Sequence, residues 1–333
     1  MTAPALRTDA ANRRGPILGL DVGGTKIAGL LVDERDRALG ELTVPTDERE
    51  LVEQVVDAAR RILGDWRGSG TQQPLAIGIG VPGHVDGGNG TLRLAVNLEA
   101  RELPLGQIVQ DAFGVPCYLE HDARAAALWL HQQYGRPEAS LGYLSVGTGI
   151  SAALVIGGRL LRGANGLAGE IGHVVADPNG PPCVCGMRGC LEAVAAGPAV
   201  ARMAAELGLP SAQPSDVFRA AQGGDARACR IAETVGAHLG RAVRALILSF
   251  GVDRVVIGGG MARAGAALFD PILAELDRER ASSPLARHAL AGARIELLGD
   301  PQAGARGAVS VARAGLQRAG LQRAGREGEV NDD

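Results

Sequence analysis

Two segments of the chain repeat one plan, and this repeat restricts the fold more than any other feature of the sequence. ILGLDVGGTKIAGLLVD (17–33) and LGYLSVGTGISAALVIGG (141–158) each contain an apolar strand, a glycine–threonine turn and a second apolar strand. A Rossmann fingerprint would place its glycine-rich turn before a helix, so neither segment fits it. The repeat predicts two α/β lobes that each begin with a β-hairpin, with a nucleotide in the cleft between them.

Other segments show the periodicity of further helices and strands. Apolar residues recur at helical spacing over 50–64, and 226–250 also predicts a long helix. LAIGIGVPGHVD (75–86) predicts a strand that enters a Pro-Gly turn, and GVPCYLEHDARAAALWLHQQYG (114–135) predicts a strand, a polar turn at Glu120–Asp122 and a helix. DRVVIGGGMARAG (253–265) predicts a strand, a glycine-rich turn and the start of a helix.

Charge and hydropathy exclude several classes of protein. The net charge is −3 and no basic block occurs in the body of the chain, which disfavours nucleic-acid binding. MTAPALRTDAANRRG at the N-terminus lacks the apolar segment of a secretory signal, and no apolar run is long enough to cross a bilayer. We therefore expect a cytoplasmic protein with no membrane partner and with reduced thiols.

Three of the five cysteines lie together in CVCGMRGCLE (183–192). A disulfide between Cys183 and Cys185 fits disulfide geometry badly, and no CxxC redox pair is present. His173 lies ten residues before Cys183, so it and the three cysteines including Cys190 would form a tetrahedral S₃N zinc site. The alternative is three buried cysteines without a metal. We favour zinc, and we expect it to be structural because four protein ligands leave no open position.

Two carboxylates flank these ligands and are candidates for binding a carbohydrate. Glu170 precedes His173 by three residues, and Glu192 follows Cys190 by two. A bound zinc ion would hold both acids near each other, where they could accept hydrogen bonds from sugar hydroxyls. The alternative is that both are solvated surface charges. The remaining cysteines, Cys117 and Cys229, are expected to be small core residues.

Taken together, the motifs resemble the ROK family, and most closely its glucokinase-type sugar kinases, over roughly residues 16–310. The motifs that carry the resemblance are LGLDVGGTK, GIGVPGHVD, LEHDARAAA, SVGTGISAALVIGG, the block from EIGH to CVCGMRGCLE, and VVIGGGM. The resemblance implies an α/β, actin-like or hexokinase-type ATPase fold, with two lobes and an interlobe cleft. It also implies ATP-dependent phosphorylation of a hexose at its 6-hydroxyl, most simply of glucose to glucose 6-phosphate, and assembly as a homodimer or homotetramer.

The resemblance assigns roles to individual residues. The catalytic base is Asp122. The positions of the two phosphate motifs and of the turn on the adenosine side are Asp21, Gly23, Gly24, Thr25 and Lys26, then Gly147, Thr148 and Gly149, then Gly258, Gly259 and Gly260. The positions expected to contact the sugar are Asn97, His121, Asp122, Glu170, His173 and Glu192. His173 would thus serve both the sugar and the zinc ion.

Elementary chemistry is compatible with these roles and also offers plainer alternatives. Asp21 ends a strand, where a carboxylate suits Mg²⁺ or its bound water, but a lone aspartate there also caps turns. Asp122 would take a proton from the attacking sugar hydroxyl, and its alternative is the N-cap of the following helix. Lys26 would add a point charge for phosphate, although lysine is also ordinary at a strand edge.

The resemblance also implies how the chain divides. We expect a smaller lobe over 16–123, completed by a C-terminal helix at roughly 305–322, and a larger lobe over 124–304 that carries the zinc knuckle. Residues 1–15, which are polar and rich in alanine, and residues 323–333 at the end of a glycine-rich stretch are expected to be disordered tails.

One departure from the family pattern bears on the substrate. His121 stands where the family usually has asparagine, so the preferred sugar hydroxyl could differ. The alternatives are therefore an N-acetylhexosamine, mannose or fructose kinase of the family. A sugar-responsive transcriptional regulator without its DNA-binding domain is a further alternative. Only about 17 residues precede the first phosphate motif, too few for a three-helix DNA-binding domain.

Overall fold

The computed structural model describes residues 15–47, 50–67 and 73–330, and it describes their side chains except those of Arg67, Asn97 and 322–330. The chain divides into two compact units. The first unit contains the described residues up to Leu130 and those from Pro301 onward, and the second unit is His131–Asp300. The boundary expected after residue 123 thus lies after Leu130, because the first turns of a helix that begins at Asp122 pack on the first unit.

The first unit is built on a mixed sheet with helices against it. Its strands are β1 (Ile17–Val22), β2 (Lys26–Val32), β3 (Ala38–Pro45), β4 (Ala76–Val81), β5 (His84–Asp86), β6 (Thr91–Ala95), β7 (Ala100–Leu103) and β8 (Cys117–His121). Its helices are α1 (Leu51–Arg67), α2 (Leu105–Phe113), α3 (Asp122–Gln133), which crosses into the second unit, and α10 (Ala303–Val330).

The second unit has a second mixed sheet and most of the helices. Its strands are β9 (Leu141–Val146), β10 (Ile150–Ile156), β11 (Arg159–Leu160), β12 (Arg254–Gly258) and β13 (Arg294–Leu297). Its helices are α4 (Leu191–Ala195), α5 (Gly197–Glu206), α6 (Pro214–Gln222), α7 (Ala226–Phe250), α8 (Ala266–Ser282) and α9 (Pro284–Leu290). The long helix α7 begins at the Asp225 side chain, which accepts the Arg227 N–H at 2.9 Å, and ends at Gly251 with φ 61°.

The two large sheets have the same topology. The first has the order β3-β2-β1-β4-β8 and the second has the order β11-β10-β9-β12-β13. In each sheet the three strands at one side form an antiparallel meander, and the remaining strands run parallel to the first strand of the hairpin. The short strands β5, β6 and β7 form a separate antiparallel sheet in the first unit. The repeat seen in the sequence is therefore a repeat of whole sheets.

Helix α10 lies directly on the first sheet because glycines remove the side chains that would hold it away. Gly19 on β1 and Gly78 on β4 are paired neighbours. A Cβ at Gly19 would overlap the carbonyl oxygen of Ala305, and one at Gly78 would overlap that of Ala308. The last helix in the sequence thus completes the core of the first unit, with Ala305, Val309 and Ala312 packed against Ile17 and Leu30.

The C-terminal helix is longer than the sequence indicated. The helix expected at roughly 305–322 runs from Ala303 to Val330, so 323–330 is helical where a disordered tail was expected. The remaining part of that expected tail, 331–333, and residues 1–14 lie outside the described residues. Alanine, leucine, glutamine and arginine are good helix formers, and their propensity outweighs the scattered glycines of this stretch.

Candidate active site

Two acids meet at the carboxyl ends of the parallel strands of the first unit. Asp21 is the fifth residue of β1, and Asp122 directly follows β8; Gly80 near the end of β4 lies between them. A Cβ at Gly80 would lie 3.5 Å from the Cα of Asp122 and 3.8 Å from Oδ1 of Asp21. Because β4 carries a glycine here, no side chain of this strand comes between the two acids.

The surroundings of Asp21 favour its protonated form when nothing is bound. Burial of the carboxyl and, to a lesser degree, the charge of Asp122 raise its pKa to about 7, while Lys26 acts in the opposite direction. The first turn of α10 also reaches this acid, since a Cβ at Gly304 would overlap the Asp21 carboxylate. A divalent cation would favour the charged form of such a pair of carboxylates.

The first glycine turn joins β1 to β2 and is held by backbone and threonine hydrogen bonds. The Gly23 N–H donates to the carbonyl of Lys26 at 2.9 Å. The Thr46 hydroxyl donates to the carbonyl of Gly23 at 2.7 Å, and the Thr46 N–H donates to the carbonyl of Thr25 at 3.1 Å. Gly24 lies on the same turn. The turn is thus fixed beside Asp21, with Lys26 at the start of β2.

Asp122 is the first residue of α3, and its carboxylate is held by its own neighbours. Its Oδ1 accepts the N–H of Ala123 at 2.6 Å and lies 3.2 Å from Nδ1 of His121. The polar turn expected over Glu120–Asp122 is absent, because β8 ends at His121 and α3 begins at the next residue. The His121 ring is buried, with one nitrogen facing Asp122, so this histidine orients the acid.

A buried ion pair beside Asp122 escaped the sequence analysis. Glu120 and Arg124 are both buried, and the Arg124 Nε donates to Oε1 of Glu120 at 2.8 Å. The same oxygen accepts the His121 N–H at 3.0 Å. The signal in the sequence was the i, i+4 spacing of opposite charges across Asp122, although that spacing is common on exposed helices. The pair fixes the junction of strand and helix that carries Asp122.

In the second unit, two glycine turns lie side by side at the ends of β9 and β12. The Gly147 N–H donates to the carbonyl of Gly149 at 2.9 Å, and Thr148 is exposed between them. A Cβ at Gly147 would lie 3.5 Å from the nitrogen of Gly260. Gly258 ends β12 opposite Ser145 of β9. Gly259 has φ 85°, a conformation that favours glycine. These turns expose backbone groups without side chains, as a phosphate site requires.

Glu192 braces the second glycine turn from outside. Its Oε2 accepts the N–H of Ile150, the first residue of β10, at 2.9 Å. A Cβ at Gly149 would lie 2.6 Å from the same oxygen, so only glycine admits the carboxylate there. Glu192 belongs to α4, which directly follows Cys190. The cysteine cluster is therefore linked to the glycine turn through a single side chain.

His173, Cys183, Cys185 and Cys190 converge in the second unit, as the sequence predicted. Their ligand atoms all lie within 4.8 Å of one another. The Sγ atoms of Cys185 and Cys190 are 3.7 Å apart, and Nδ1 of His173 is 3.7 Å from Sγ of Cys183. Tetrahedral zinc with Zn–S bonds of about 2.3 Å separates two sulfurs by about 3.8 Å, so the donor set fits this ion. A disulfide is too short for this sulfur–sulfur separation.

The segment that carries Glu170 and His173 packs closely on β10. The Ala152 N–H donates to the carbonyl of Gly169 at 2.7 Å. A Cβ at Gly169 would overlap the carbonyl of Ala152, and one at Gly172 would overlap that of Ile150. Glu170 is half-buried at the start of a 3₁₀ turn that ends at His173. Both Glu170 and Glu192 are thereby positioned along the start of β10.

The structure thus gathers the expected site residues into one set in each unit. Asp21, Lys26, His121 and Asp122 lie in the first unit; Glu170, His173 and Glu192 lie in the second, with the remaining glycine turns. Asn97 lies in a 3₁₀ turn over Val96–Leu98 of the first unit, and its side chain lies outside the described residues. The cleft between the lobes stays a prediction. Cys117 is partly buried on β8, and Cys229 is partly buried on α7.

Comparisons with known proteins give a consistent result. The model of the ROK family matches residues 17–314. A glucokinase from Thermotoga maritima is 35% identical over 278 residues, which are 77% of this chain and 85% of the relative. An N-acetylmannosamine kinase from Yersinia pseudotuberculosis is 32% identical over 252 residues, covering 75% of this chain and 84% of the relative.

A solved structure has the same fold as the chain. The crystal structure of a ROK family glucokinase from Streptomyces griseus, in complex with glucose and AMPPNP, superposes with a TM-score of 0.74 at 30% identity. The match covers 90% of this chain and 100% of that one. Within the described part of the chain, none of the helices has both the length and the hydropathy that a membrane span needs.

Proposed function

We propose that this chain, which belongs to the ROK family and is a sugar kinase, transfers the γ-phosphoryl group of ATP to the 6-hydroxyl of glucose. The family resemblance, the actin-like fold and the sugar-kinase activity expected from the sequence are confirmed by the family match, the curated kinases and the solved glucokinase. The choice of glucose and the roles of single residues are proposals. The observation that carries them is the pair of acids, Asp21 and Asp122, that meets beside the first glycine turn.

Asp122 is the proposed general base. Its exposure is 33% of the side chain, so it can reach a substrate while His121 and the Ala123 N–H hold one of its oxygens. The base takes the proton of the 6-hydroxyl as that oxygen bonds to the γ-phosphorus and the bond to the β–γ bridging oxygen breaks. The products are ADP and the sugar 6-phosphate. Holding the carboxylate in one orientation lowers the entropic cost of reaching the transition state.

Asp21 and Lys26 are proposed to receive the phosphate end of the nucleotide. Mg²⁺, when bound with ATP, neutralises charge on the phosphate oxygens. Asp21 would hold the ion or one of its waters, and its elevated pKa fits an acid whose charged form a nearby cation would stabilise. The backbone N–H groups of Gly23, Gly24 and Thr25 would approach the phosphates, and Lys26 would contribute a positive charge.

In the second unit, the two adjacent turns are proposed to hold the rest of the nucleotide. Gly147, Thr148 and Gly149 offer a phosphate turn whose shape is maintained by Glu192. Gly258, Gly259 and Gly260 would lie along the adenosine side. At Gly147 and Gly260, where an added Cβ would have no protein atom closer than 3.5 Å, the missing side chain would let backbone groups come within hydrogen-bond distance of a ligand.

The cysteine cluster is proposed to hold structural zinc that orders the sugar-binding acids. The ion would be held by Cys183, Cys185, Cys190 and Nδ1 of His173, which leaves Nε2 of the histidine for a sugar hydroxyl. Glu170 and Glu192 would accept hydrogen bonds from further hydroxyls, together with Asn97 and His121. The knuckle has few apolar residues and can bury little apolar surface. Bound zinc would stabilise it in place of such packing.

A substrate panel tests the proposal. Purified protein is incubated with Mg²⁺ and either ATP or polyphosphate, together with glucose, mannose, fructose, N-acetylglucosamine or N-acetylmannosamine, and the sugar phosphate is measured. We expect the highest kcat/KM with glucose and ATP. A higher kcat/KM with N-acetylmannosamine would make that sugar the assigned substrate in place of glucose. The similarity to the Yersinia N-acetylmannosamine kinase makes it the main competing candidate. Binding to operator-like DNA in a mobility shift, without turnover, would favour the regulator.

The family resemblance also leads us to propose a homodimer or homotetramer. Light scattering coupled to gel filtration, at protein concentrations near and well above the expected dissociation constant, measures the mass directly. A monomer at all concentrations would contradict this proposal.

A further inference from the structure

A cavity in the second unit lies at the end of the sheet that is opposite the glycine turns. Its volume is about 360 Å³, and its lining includes Leu141, Arg254 and Arg294, the first residues of β9, β12 and β13. The glycine turn that follows β12 begins at Gly258, four residues farther along the strand. At about 3.3 Å per residue, this places the cavity about 13 Å from that turn. The cavity is therefore separate from the proposed active site.

Positive charge dominates the lining of this cavity. Arg136, Arg254 and Arg294 line it, and Asp253 is the acid among the lining residues. Arg294 is exposed, and no hydrogen bond or ion pair of its side chain occurs within the described part of the chain. Arg136 lies 4.0 Å from Oδ2 of Asp253 and 4.0 Å from Oε1 of Glu138, both at the limit of an ion pair, and its side chain is 67% exposed. The Arg294 guanidinium is thus available to an anion, and that of Arg136 is held only by two long, exposed ion pairs.

Arg254, the third arginine of the cavity, is held rigidly by its neighbours. Its guanidinium carbon lies 3.7 Å from the centre of the Tyr134 ring, and Oε1 of Glu296 pairs with Nη1 of Arg254. The Tyr134 hydroxyl donates to the second oxygen of Glu296 at 3.0 Å. Only 17% of the Arg254 side chain is exposed. A guanidinium fixed in this way offers its remaining N–H groups at defined positions, which lowers the cost of binding a planar or tetrahedral oxyanion.

We propose that this cavity is a binding site for phosphate, either free or as the phosphate group of a small phosphomonoester. The planar guanidinium of an arginine can donate two parallel hydrogen bonds to two oxygens of a phosphate. Three arginines line this one concave site. The volume is at the lower end of the range for ligand pockets, which suits a molecule the size of a sugar monophosphate. The proposal does not depend on the activity of the chain, because none of the residues proposed for catalysis lines the cavity.

Calorimetric titration of the full-length protein tests the site. Inorganic phosphate and glucose 6-phosphate are titrated separately at constant ionic strength into the wild type, Arg294→Ala, Arg294→Lys and Arg230→Ala. Arg230 is an exposed arginine of the same unit that does not line the cavity, and it is the matched control. Removing Arg294 leaves no partner unpaired among the described residues, so folding should be unaffected, and the thermal unfolding midpoint of each variant checks this.

We expect Arg294→Ala to weaken one binding event about tenfold, Arg294→Lys to weaken it less, and Arg230→Ala to leave it unchanged. If Arg294→Ala weakens the binding of both titrants, the cavity is a phosphomonoester site. If it weakens the binding of inorganic phosphate alone, the cavity is a site for the free ion. Binding of either compound at the active site would be equal in all four proteins and would not interfere. Superimposable isotherms for wild type and Arg294→Ala with both titrants would overturn the proposal.

Discussion

The hairpin of the first unit and the hairpin of the second unit occupy equivalent places in equivalent sheets, yet they carry different chemistry. Asp21 of β1 corresponds to Ser145 of β9, and each is paired with a glycine on the neighbouring parallel strand, Gly80 or Gly258. Lys26, which begins β2, corresponds to Ile150, which begins β10. The charged residues of the first turn are thus replaced by neutral ones in the second.

This difference agrees with the separate ligand-binding roles proposed for the two turns. The first turn has an acid with a pKa near 7 and a lysine, which suit a cation and the reacting phosphate. The second turn offers neutral backbone groups, and its acid, Glu192, comes from α4 and accepts a backbone N–H. The duplicated sheet therefore supplies a common scaffold, and a few residues at the strand ends give its two copies different charge.

The largest effect is expected from Asp122→Asn, which keeps the shape of the side chain and removes the base. We expect kcat to fall about 10³-fold, because positioned general bases contribute roughly that factor, while sugar affinity changes little. Coupled ADP release and calorimetric sugar binding measure the two quantities. Asp111→Asn, on the exposed surface of α2, is the control. Turnover near the wild-type value would remove Asp122 from the mechanism.

Cys190→Ser tests whether the stability of the second unit depends on bound zinc. We expect bound zinc to fall well below one equivalent and the unfolding midpoint to drop by roughly 10 °C, equivalent to about 3 kcal/mol. Elemental analysis and calorimetry measure both. Cys229→Ser is the control, because Cys229 is partly buried on α7 and lies outside the cluster. Full zinc content in Cys190→Ser would contradict the ligand assignment.

Asp21→Asn tests the charge that distinguishes the two turns. Folding raises the pKa of this acid from 3.8 to about 7, so the folded chain holds the proton more tightly than the unfolded chain. Stability is therefore lost as the pH rises from about 4 to 7, and it remains lower above pH 7.

Asparagine removes this titration, so the variant should be more stable than the wild type at pH 8, on the order of 2 kcal/mol, but not at pH 4. Its kinase activity should be strongly reduced. Urea unfolding at both pH values, without Mg²⁺ or nucleotide, provides the comparison. Equal differences in the free energy of unfolding at the two pH values would argue against a buried acid with an elevated pKa.

The smallest effect on stability is expected at Glu192. Two substitutions there separate its hydrogen bond with the Ile150 N–H from its proposed contact with a sugar hydroxyl. Glutamine retains an oxygen for the Ile150 N–H, whereas alanine does not. We expect Glu192→Gln to keep the wild-type stability and Glu192→Ala to lose about 1 kcal/mol. Both should raise the KM for sugar if the carboxylate contacts a hydroxyl. An unchanged KM in both variants would restrict Glu192 to bracing the glycine turn.

The sequence alone determined the elements whose signals are local. Both hairpins, the long helix over 226–250 and the strand before the third glycine turn are visible as periodicity, because burial on one face imposes a fixed repeat. The four ligands of the cysteine cluster could also be found this way, since they fall within eighteen residues and their side chains have few other uses together.

Only the tertiary structure decided the contacts between distant segments. It placed Gly80 between Asp21 and Asp122, brought α10 onto the paired glycines of β1 and β4, and seated Glu192 against Ile150. It also showed that Glu120 and Arg124 form a buried pair rather than a solvated one. Contacts of this kind depend on sheet order and register, and a linear pattern contains no record of which strand becomes the neighbour of which.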